Sequence, residues 1–341
     1  MQTNRATIAH IAERAGVSVG TVSNVLNDKG RFGAETRERV MKAALDLNFA
    51  PNALIRSLQS GKTHTMGVFT WGVTTDTTRD ISMLLLRGAM NGIAAAGYDA
   101  LLYSRHPHID EVSVSMFLDQ RVDGLILSPG GLSAEGLQVL ANCGLPTVAI
   151  YQQDVPDGIG TVNIDNAAGV RLAMDYLIGL GHRRIAFYAP TYTFDFSDRF
   201  RGYCEGLERN GLPFDPALRI KADTDYQQST GEALTYLLVL PEPPTAIVAA
   251  DDSAALAFLE AIQKRGLRTP QDISVMGFDD APAAIAPPGL TTVRQPAEEV
   301  GLLAAQYVKR LIDGESANDC RITLPTEFVI RNTTGPPPGF Q

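Results

Sequence analysis

The stretch TIAHIAERAGVSVGTVSNVLN, residues 7–27, decides the fold of the N-terminal part of the chain. Its apolar residues recur at helical spacing on both sides of Gly16, with Thr7 and Ser18 placed where each helix would begin. Gly16 permits the tight turn that two short helices need between them. The pattern therefore predicts a helix-turn-helix, in which the second helix carries an apolar stripe over residues 22–26.

A third amphipathic stretch, AETRERVMKAALDLNF at residues 34–49, follows this pair and ends before Pro51. It predicts a helix that buries Val40, Ala44 and Leu47, so that three helices close one small core. Helical spacing alone would also suit a three-helix protein-contact domain. The positive charge of this part of the chain disfavours that alternative.

The charge of the chain is unevenly divided. The formal net charge of the 341 residues is -9, which by itself disfavours a nucleic-acid partner. Residues 1–62 hold nine Lys and Arg against five Asp and Glu, a balance of +4, while the other 279 residues hold 20 against 33, a balance of -13. A basic segment on an acidic remainder is typical of a nucleic-acid-binding module joined to a sensing or catalytic domain.

The second predicted helix carries the residues expected to read DNA. In a helix-turn-helix this helix enters the major groove, so its N-terminal and outward-facing residues meet base edges. We expect Val19, Gly20 and Asn24 there, with Val19 suited to a thymine methyl group and Asn24 to an adenine. Three further polar residues are placed to reach phosphates: Thr21, Ser23 and Asn27.

Residues 7–27 and then TRERVMKAALDLNFAPNALIRSLQSGKT, residues 36–63, resemble the headpiece and hinge of the lac repressor (LacI/GalR) family. The resemblance implies a hinge at 51–62 that folds into a short helix on DNA and inserts Leu58 into the minor groove. Asn24 departs from the family pattern, which often has Arg at that position. The predicted DNA-contacting set is Thr7, Ser18, Val19, Gly20, Thr21, Ser23, Asn24, Asn27, Arg31, Asn52 and Leu58.

Beyond the hinge, short apolar runs alternate with helical patterns. Strands are predicted at MGVFTW, DALLYS, VDGLILS, PTVAIY, RRIAFYA, IKA, PTAIVAA and DISVMGF. Helices are predicted near residues 80–96, 110–120, 133–141, 165–181 and 199–209. Repeated β-α order indicates parallel sheets covered by helices on both faces. The expected fold class is α/β, with an N-terminal all-α helix-turn-helix headpiece.

A resemblance to periplasmic-binding-protein-like folds implies that this second part has two lobes. The expected domains are a DNA-binding headpiece at 1–50, a hinge at 51–62, and an effector-binding and dimerisation domain at 63–341. Lobe 1 is expected at about 63–161 and 292–324, and lobe 2 at about 162–291 and 325–334. The resemblance then implies three crossover strands near residues 160, 290 and 325, and TTVRQPAEEVG at 291–301 would return the chain to lobe 1.

Ligands of open parallel sheets collect beyond the carboxyl ends of the strands, and polar residues stand at those ends here. The resemblance implies effector-binding roles for Arg199 and Asp279 and an aromatic side chain at Tyr226. Tyr151 departs from the family, because many relatives carry Asp there. The predicted effector-contacting set is Trp71, Thr74, Asp80, Ser128, Tyr151, Arg199, Tyr226, Asp251 and Asp279.

The expected function is a DNA-binding transcriptional repressor whose operator affinity is controlled by a small effector bound between the lobes, a sugar or sugar derivative. The alternatives are a purine- or nucleoside-responsive regulator and a solute-binding protein without DNA function. Each headpiece reads only a few base pairs, so we expect a homodimer on a pseudo-palindromic operator. The prolines of TTGPPPGFQ, residues 333–341, disfavour a terminal coiled coil and with it a tetramer.

Other classes of protein are disfavoured by what the sequence lacks. It has no P-loop, Gly-x-Gly-x-x-Gly, His-Glu-x-x-His or Gly-x-Ser-x-Gly motif, so we expect no enzyme, catalytic residue, cofactor or metal. His106 and His108 suit a surface loop, and the cysteines, at 143, 204 and 320, are too far apart to indicate a disulfide framework. With no signal-peptide pattern and no apolar run of about 18 residues, we expect a cytoplasmic protein without a membrane partner.

Overall fold

The computed structural model describes residues 6–26, 32–47, 49, 61–69, 81–103, 114–128, 132–190, 194–222 and 226–339. The chain divides into two compact units, Met1–Thr63 and His64–Gln341. Most of the predicted hinge, residues 51–60, falls outside the described part. Within that part, no helix combines the length and the apolar character needed to cross a membrane.

The N-terminal unit contains three helices, α1 (Ile8–Ala15), α2 (Val19–Leu26) and α3 (Ala34–Asp46). They enclose a buried core of Ile11, Ala12, Ala15, Val22, Val25, Val40, Ala43 and Ala44. Leu47, whose spacing predicts burial, is half-buried at the edge of this core because α3 ends one residue before it. The helix-turn-helix predicted from residues 7–27 and the third helix are therefore both present.

Local hydrogen bonds fix the beginnings of α1 and α2. The Thr7 hydroxyl accepts from the backbone N–H of His10 (3.4 Å), and His10 Nδ1 accepts from the backbone N–H of Thr7 (3.3 Å). Ser18 Oγ accepts from the backbone N–H of Thr21 at 3.1 Å. Between the helices Gly16 adopts a φ of 67°, the left-handed region that glycine enters without strain. Thr7, Gly16 and Ser18, from which the turn between α1 and α2 was predicted, therefore have the expected roles.

The second unit alternates strands and helices. Its strands are β1 (Thr65–Phe69), β2 (Asp99–Tyr103), β3 (Gly124–Leu127), β4 (Thr147–Ile150), β5 (Ile159–Ile164), β6 (Ile185–Pro190), β7 (Arg219–Ala222), β8 (Ala246–Ala249), β9 (Ser274–Asp279), β10 (Thr291–Arg294), β11 (Arg321–Leu324) and β12 (Glu327–Val329). Its helices are α4 (Ser82–Ala95), α5 (Ala134–Cys143), α6 (Asn166–Gly179), α7 (Phe194–Arg209), α8 (Tyr226–Leu238), α9 (Asp252–Lys264) and α10 (Ala297–Ile312).

These strands form two sheets, which we call lobe 1 and lobe 2 together with the helices that cover them. Lobe 1 has the order β11-β5-β4-β3-β1-β2, and lobe 2 has the order β12-β10-β9-β8-β6-β7. The described strand pairs are parallel, except that β12 runs antiparallel to β10. Buried apolar clusters lie in both lobes. The predicted α/β class with parallel sheets is confirmed, with one antiparallel edge strand added.

The chain passes from one sheet to the other after β5, after β10 and after β11. The expected end of lobe 1 at 161 and its return at 292 are both placed too early. Strand β5 continues to Ile164 in the first sheet, and β10 pairs with β9 in the second, with Thr291 opposite Met276. The hydrogen bonds of these two ladders hold the strands in their sheets, so the crossings come after Ile164 and after Arg294.

The helix predicted near residues 110–120 is replaced, where the structure describes this segment, by a single 3-10 turn at Val114–Met116. Phe117 follows the turn directly and is buried in lobe 1. Its ring lies edge-on to those of Phe69 and Tyr103, with centroids 5.7 Å and 4.9 Å away. We attribute the short turn to this buried ring, which fixes the chain against the sheet.

Candidate functional site

The second helix of the N-terminal unit exposes the residues expected at base edges. Val19, Gly20 and Asn24 are exposed, and Val19 leaves 52% of its surface open to solvent. Val22 and Val25 of the same helix are buried in the three-helix core. The helix therefore presents one open face that carries all three predicted base contacts.

The remaining candidate DNA contacts fall into two groups. Thr7 and Ser18 are exposed at the helix starts, and Thr21 and Ser23 are half-buried. Ser18 Oγ lies 2.8 Å from Thr21 Oγ1, so these two hydroxyl groups orient each other. The candidates that lie outside the described residues are Asn27, Arg31, Asn52 and Leu58.

In lobe 2, Arg199 of α7 is buried beside the ends of β8 and β9, with 4% of its surface exposed. Its Nε donates to Asn166 Oδ1 at 2.8 Å, and its Nη1 donates to the carbonyl oxygen of Ala250 at 2.5 Å. The guanidinium carbon lies 3.8 Å from the centroid of the Phe278 ring, and Nη1 lies 3.6 Å from Asp279 Oδ1. These contacts fix the guanidinium plane, and Nη2 makes no hydrogen bond to a described residue.

Asp279 ends β9 and faces this guanidinium. Its φ of 129° is strained for a residue with a side chain, as is often found at functional sites. Gln295 Nε2 donates to Asp279 Oδ1, while Gln295 Oε1 is buried without a described partner. Burial raises the pKa of the Asp279 carboxyl well above its ordinary value; the Arg199 charge lowers it, and nearby carboxylates raise it further. The structure thus brings together Arg199 and Asp279, which the family resemblance singled out, and adds Gln295.

Asp251 and Asp252 stand where β8 leads into α9. Asp251 caps the helix, since its Oδ1 accepts from the backbone N–H of Ala254 at 2.8 Å. Asp252 is buried: its Oδ1 accepts from the Thr292 hydroxyl at 2.6 Å and its Oδ2 from the backbone N–H of Ala281 at 2.8 Å. Burial raises the pKa of the Asp252 carboxyl to about 7. This acid, absent from the predicted set, ties α9 to β10 and to the chain after β9.

Asp280, the second acid of the sequence GFDD, fastens the edge of lobe 2. Its carboxylate accepts from Arg294 Nε at 2.7 Å and from Arg331 Nη2 at 2.6 Å. Asp280 is therefore joined by ion pairs to β10, through Arg294, and to the segment after β12, through Arg331. Of the two adjacent acids, Asp279 stays a candidate effector contact, whereas Asp280 pairs with arginines from two other segments of lobe 2.

Lobe 1 contributes Ser128 and Tyr151, which follow β3 and β4. Ser128 is buried, and its backbone N–H donates to the carbonyl oxygen of Phe69 at 3.0 Å. Tyr151 is half-buried with a φ of 55°, and its backbone N–H donates to the carbonyl oxygen of Val162 at 3.1 Å. Both residues therefore stand at the carboxyl edge of the first sheet. Trp71, Thr74 and Asp80 lie outside the described residues, and Tyr226 begins α8 without a described side chain.

Three polar residues that the sequence reasoning missed lie in or beside the strand ends. Asn163 of β5 is buried; its Nδ2 donates to the carbonyl oxygen of Gln152 at 3.1 Å, and its Oδ1 has no described partner. The other two are Asn166 and Gln295, which hydrogen-bond to Arg199 and Asp279 respectively. A usable signal existed for Asn163, because it interrupts the apolar run IGTVNI. No group of metal-ligating side chains occurs within the described ranges.

Family comparisons match both units of the chain. Residues 7–52 match the model of bacterial regulatory proteins of the lacI family, and residues 174–334 match that of the periplasmic binding protein-like domain. The chain is 32% identical over 332 residues to the probable HTH-type transcriptional repressor ExuR of Bacillus subtilis (strain 168), covering 96% of this chain and 98% of that one.

Solved structures extend the likeness to the whole chain. The transcriptional regulator CelR-cellobiose complex is 30% identical, with a TM-score of 0.72 and coverage of 96% of this chain and 100% of that chain. The lac repressor dimer bound to operator and the anti-inducer ONPF is 26% identical, with a TM-score of 0.81 and coverage of 97% and 100%. With these similarities and the helix-turn-helix ahead of a two-lobed sensor, the chain belongs to the lacI family of bacterial regulatory proteins.

Proposed function

We propose that this protein is a repressor whose N-terminal unit binds an operator and whose cleft binds a small polyhydroxylated effector. The observation that carries the proposal is the buried Arg199–Asp279 pair at the ends of the lobe 2 strands, where a fixed guanidinium and a carboxylate offer a donor and an acceptor side by side. The effector would change operator affinity because it binds one arrangement of the lobes better than another.

The hydrogen-bonding groups of the described cleft favour a sugar. Asp279 as a carboxylate and the buried amide oxygens of Asn163 and Gln295 accept hydrogen bonds, whereas Arg199 Nη2 donates. A sugar hydroxyl both donates and accepts, so a sugar suits a set of groups that contains acceptors as well as a donor. A free purine base has no hydroxyl group, whereas a nucleoside offers its ribose hydroxyls and is therefore the second candidate. Cellobiose, the ligand of the CelR complex, is the first compound to test.

We assign DNA reading to residues 1–50, the hinge to 51–62, and effector binding and dimerisation to 63–341. The support for the first assignment is the open face of α2 above a closed three-helix core. A regulator of this kind works on chromosomal DNA, so we expect it in the cytoplasm. The acidic second part would be repelled by DNA, which leaves contact to the basic N-terminal unit.

Selection of binding sites from random duplexes tests the proposal. We expect the full-length protein to select a pseudo-palindromic sequence and to bind it with an affinity that falls steeply as salt rises. Anisotropy titrations with the selected duplex should then shift when cellobiose or another neutral sugar is added. If no duplex is selected and DNA binding shows no dependence on salt, the solute-binding alternative is favoured instead.

We expect Val19 to contribute to the recognition of the operator. Val19→Ala should cost about fivefold in affinity for the selected duplex, on the order of 1 kcal/mol, because the exposed methyl groups of α2 no longer meet the groove. Binding to random DNA should not change, since that depends on phosphate contacts. Leu45→Ala is the matched control: Leu45 is an apolar residue on α3 and 75% exposed, so its truncation should leave both affinities unchanged. Equal losses in both variants would contradict the role of α2.

The homodimer requires a contact surface, and we propose an apolar groove on lobe 2. The groove has a volume of about 760 Å³, and its apolar lining includes Leu256, Leu259, Ile262, Pro287 and Pro288. Its polar and charged lining residues are Glu260, Gln263, Arg268, Thr269 and Gln271. Ile285, which lies just before these prolines, is 65% exposed. We propose that a second copy of this chain occupies the groove. In a two-fold contact the same surface of both subunits meets, so Ile285 and the groove of one subunit would face those of the other.

Leu259→Glu should turn the dimer into a monomer and weaken operator binding more than tenfold, because a single headpiece reads only one half-site. Sedimentation at several protein concentrations measures the change in mass. Leu172→Glu, at an exposed position on α6 that does not line the groove, is the control and should remain dimeric. A dimer that survives Leu259→Glu would exclude this groove, and a tetramer that persists on dilution would exclude the dimer itself.

A further inference from the structure

A side-chain hydrogen bond joins the two lobes at the strand ends. Gln153, in the loop after β4 of lobe 1, donates from Nε2 to Asp198 Oδ2 in the first half of α7 of lobe 2. Gln153 is exposed and the side chain of Asp198 is 19% exposed, so the bond lies near the surface and not in a core. It is therefore free to break without opening a packed interior.

The loop that carries Gln153 is held firmly to lobe 1. The left-handed backbone at Tyr151, with a φ of 55°, turns the chain, and the carbonyl oxygen of Gln152 accepts from Asn163 Nδ2 at 3.1 Å. The backbone N–H of Val155 donates to the carbonyl oxygen of Gln153 at 3.0 Å, which closes the loop. These contacts hold the backbone of Gln153 in place before its side chain meets lobe 2.

Asp198 is held in the same way on lobe 2. Arg201 Nη2 donates to Asp198 Oδ1 at 2.9 Å, which leaves Oδ2 for Gln153. Arg201 is itself fixed by Glu205, whose Oε1 accepts from Nη1 at 3.1 Å, and Glu205 pairs with Arg171 of α6. A network across α6 and α7 therefore orients the carboxylate toward lobe 1.

The two partners lie beside the candidate effector residues of both lobes. Asp198 directly precedes Arg199, and Gln153 follows Tyr151 by two positions. We propose that the Gln153–Asp198 pair is a positioning clamp that stabilises the closed cleft and so sets the fraction of protein ready to hold an effector. This inference rests on the proposed effector cleft.

Loss of the Gln153–Asp198 clamp would also change the affinity of the protein for DNA. The bond exists only when the lobes are together, and a ligand that contacts both lobes favours that same arrangement. Without the clamp, a smaller fraction of the protein is closed, and effector affinity falls in proportion. Loss of the clamp must therefore shift the operator affinity of the effector-free protein in the direction opposite to the shift that the effector causes.

A double-mutant cycle in the full-length protein tests the clamp without any effector. The variants are Gln153→Ala, Asp198→Ala and the pair, each compared for operator affinity on the selected duplex and for inter-lobe distance by spin-label measurements. The labels sit on the exposed Cys143 of lobe 1 and on Leu172→Cys of lobe 2, with Cys204→Ser in the background. We expect each single variant to raise the open population about three- to tenfold and the pair to add nothing beyond either one.

Controls separate the clamp from a general loss of structure. Gln138→Ala removes a comparable exposed hydrogen bond, from Nε2 to Asn142 Oδ1 at 3.2 Å, that lies wholly within lobe 1, and it should change neither readout. Asp198→Asn can still accept from Gln153 and should restore most of the closed population. Gln153→Glu places two carboxylates together and should open the cleft further than Gln153→Ala. The melting temperature should stay close to wild type in all of them.

Three outcomes would overturn the clamp: an unchanged distance distribution in both single variants, additive effects in the pair, or an equal change in Gln138→Ala. Each of these can occur while the protein still selects an operator and responds to a sugar, in which case the proposed function stands and only the clamp fails. Failure of the wild type to select any duplex would instead contradict the proposed function.

Discussion

Arg199→Ala should abolish the effector response and destabilise the second unit by about 3–5 kcal/mol, while specific operator binding persists below the melting temperature. The side chain removed is buried, and it leaves Asn166 Oδ1 and the carbonyl oxygen of Ala250 without their donor. The carboxylate of Asp279 also loses the positive charge that lowers its pKa. Urea unfolding measures the stability, and operator titration with the sugar series measures the response.

The cost of Arg199→Ala should depend on pH in a direction that the Asp279 carboxyl fixes. Burial raises the pKa of this carboxyl above its value in the unfolded chain, and without Arg199 it rises further. A raised pKa means that the folded state binds the proton more tightly, so stability is lost as pH rises above the unfolded pKa. The gap in unfolding free energy between wild type and variant should therefore be wider at pH 8 than at pH 5.5.

The substitution Asp279→Asn distinguishes the proposed role of Asp279 in effector binding from the effect of its buried charge on stability. It removes the buried negative charge but keeps a group that can accept a hydrogen bond, so in the Arg199→Ala background it should restore part of the lost stability. The effector response should stay absent in the double variant, because both groups proposed to bind the effector are altered. A normal response in either single variant would show that the effector binds elsewhere.

The sequence predicted the part of this site that local motifs carry. Arg199 and Asp279 stand in SDRFRGY and GFDD, and the family resemblance assigned both. Gln295 and Asn166 were missed because each acquires its role from a partner distant in the chain: Gln295 reaches Asp279 only once β10 has paired with β9. Asp252 was missed for the same reason, since its partner Thr292 is remote in sequence.

The fold shows the same division between local and long-range information. Alternation of apolar and helical runs predicted strands β1–β4 and β6–β9 and most helices. A strand buried between helices is apolar along its own length, so each such strand can be recognised separately. The sheet that a strand joins depends on pairing between remote segments, so the assignment of β10 to lobe 2 and the reversed direction of β12 were not predicted. A close contact between two helices is also hard to recognise in the sequence, and the glycines of α4 are an example.

In lobe 1, α4 and α10 cross so closely that glycine is required on both. A Cβ added to Gly88 would lie 1.9 Å from the carbonyl oxygen of Glu298, and one added to Gly301 would lie 2.1 Å from the carbonyl oxygen of Leu85. Both clashes are with backbone atoms of the facing helix, which a change of rotamer cannot relieve. Any side chain at either position must therefore push the two helices apart.

Gly88→Ala should accordingly destabilise the second unit by about 3 kcal/mol, although alanine is the better helix former, because the backbone contact outweighs a helix-propensity gain of about 1 kcal/mol. Gly231→Ala in α8 is the matched control: a Cβ there meets no atom within 4 Å, so this substitution should stabilise the protein by about 0.5–1 kcal/mol. Urea unfolding of the two variants beside wild type compares the opposite signs directly. Gly88→Ala with wild-type stability would mean that α4 and α10 can separate freely, and the close crossing of the two helices would then not be what holds lobe 1 together.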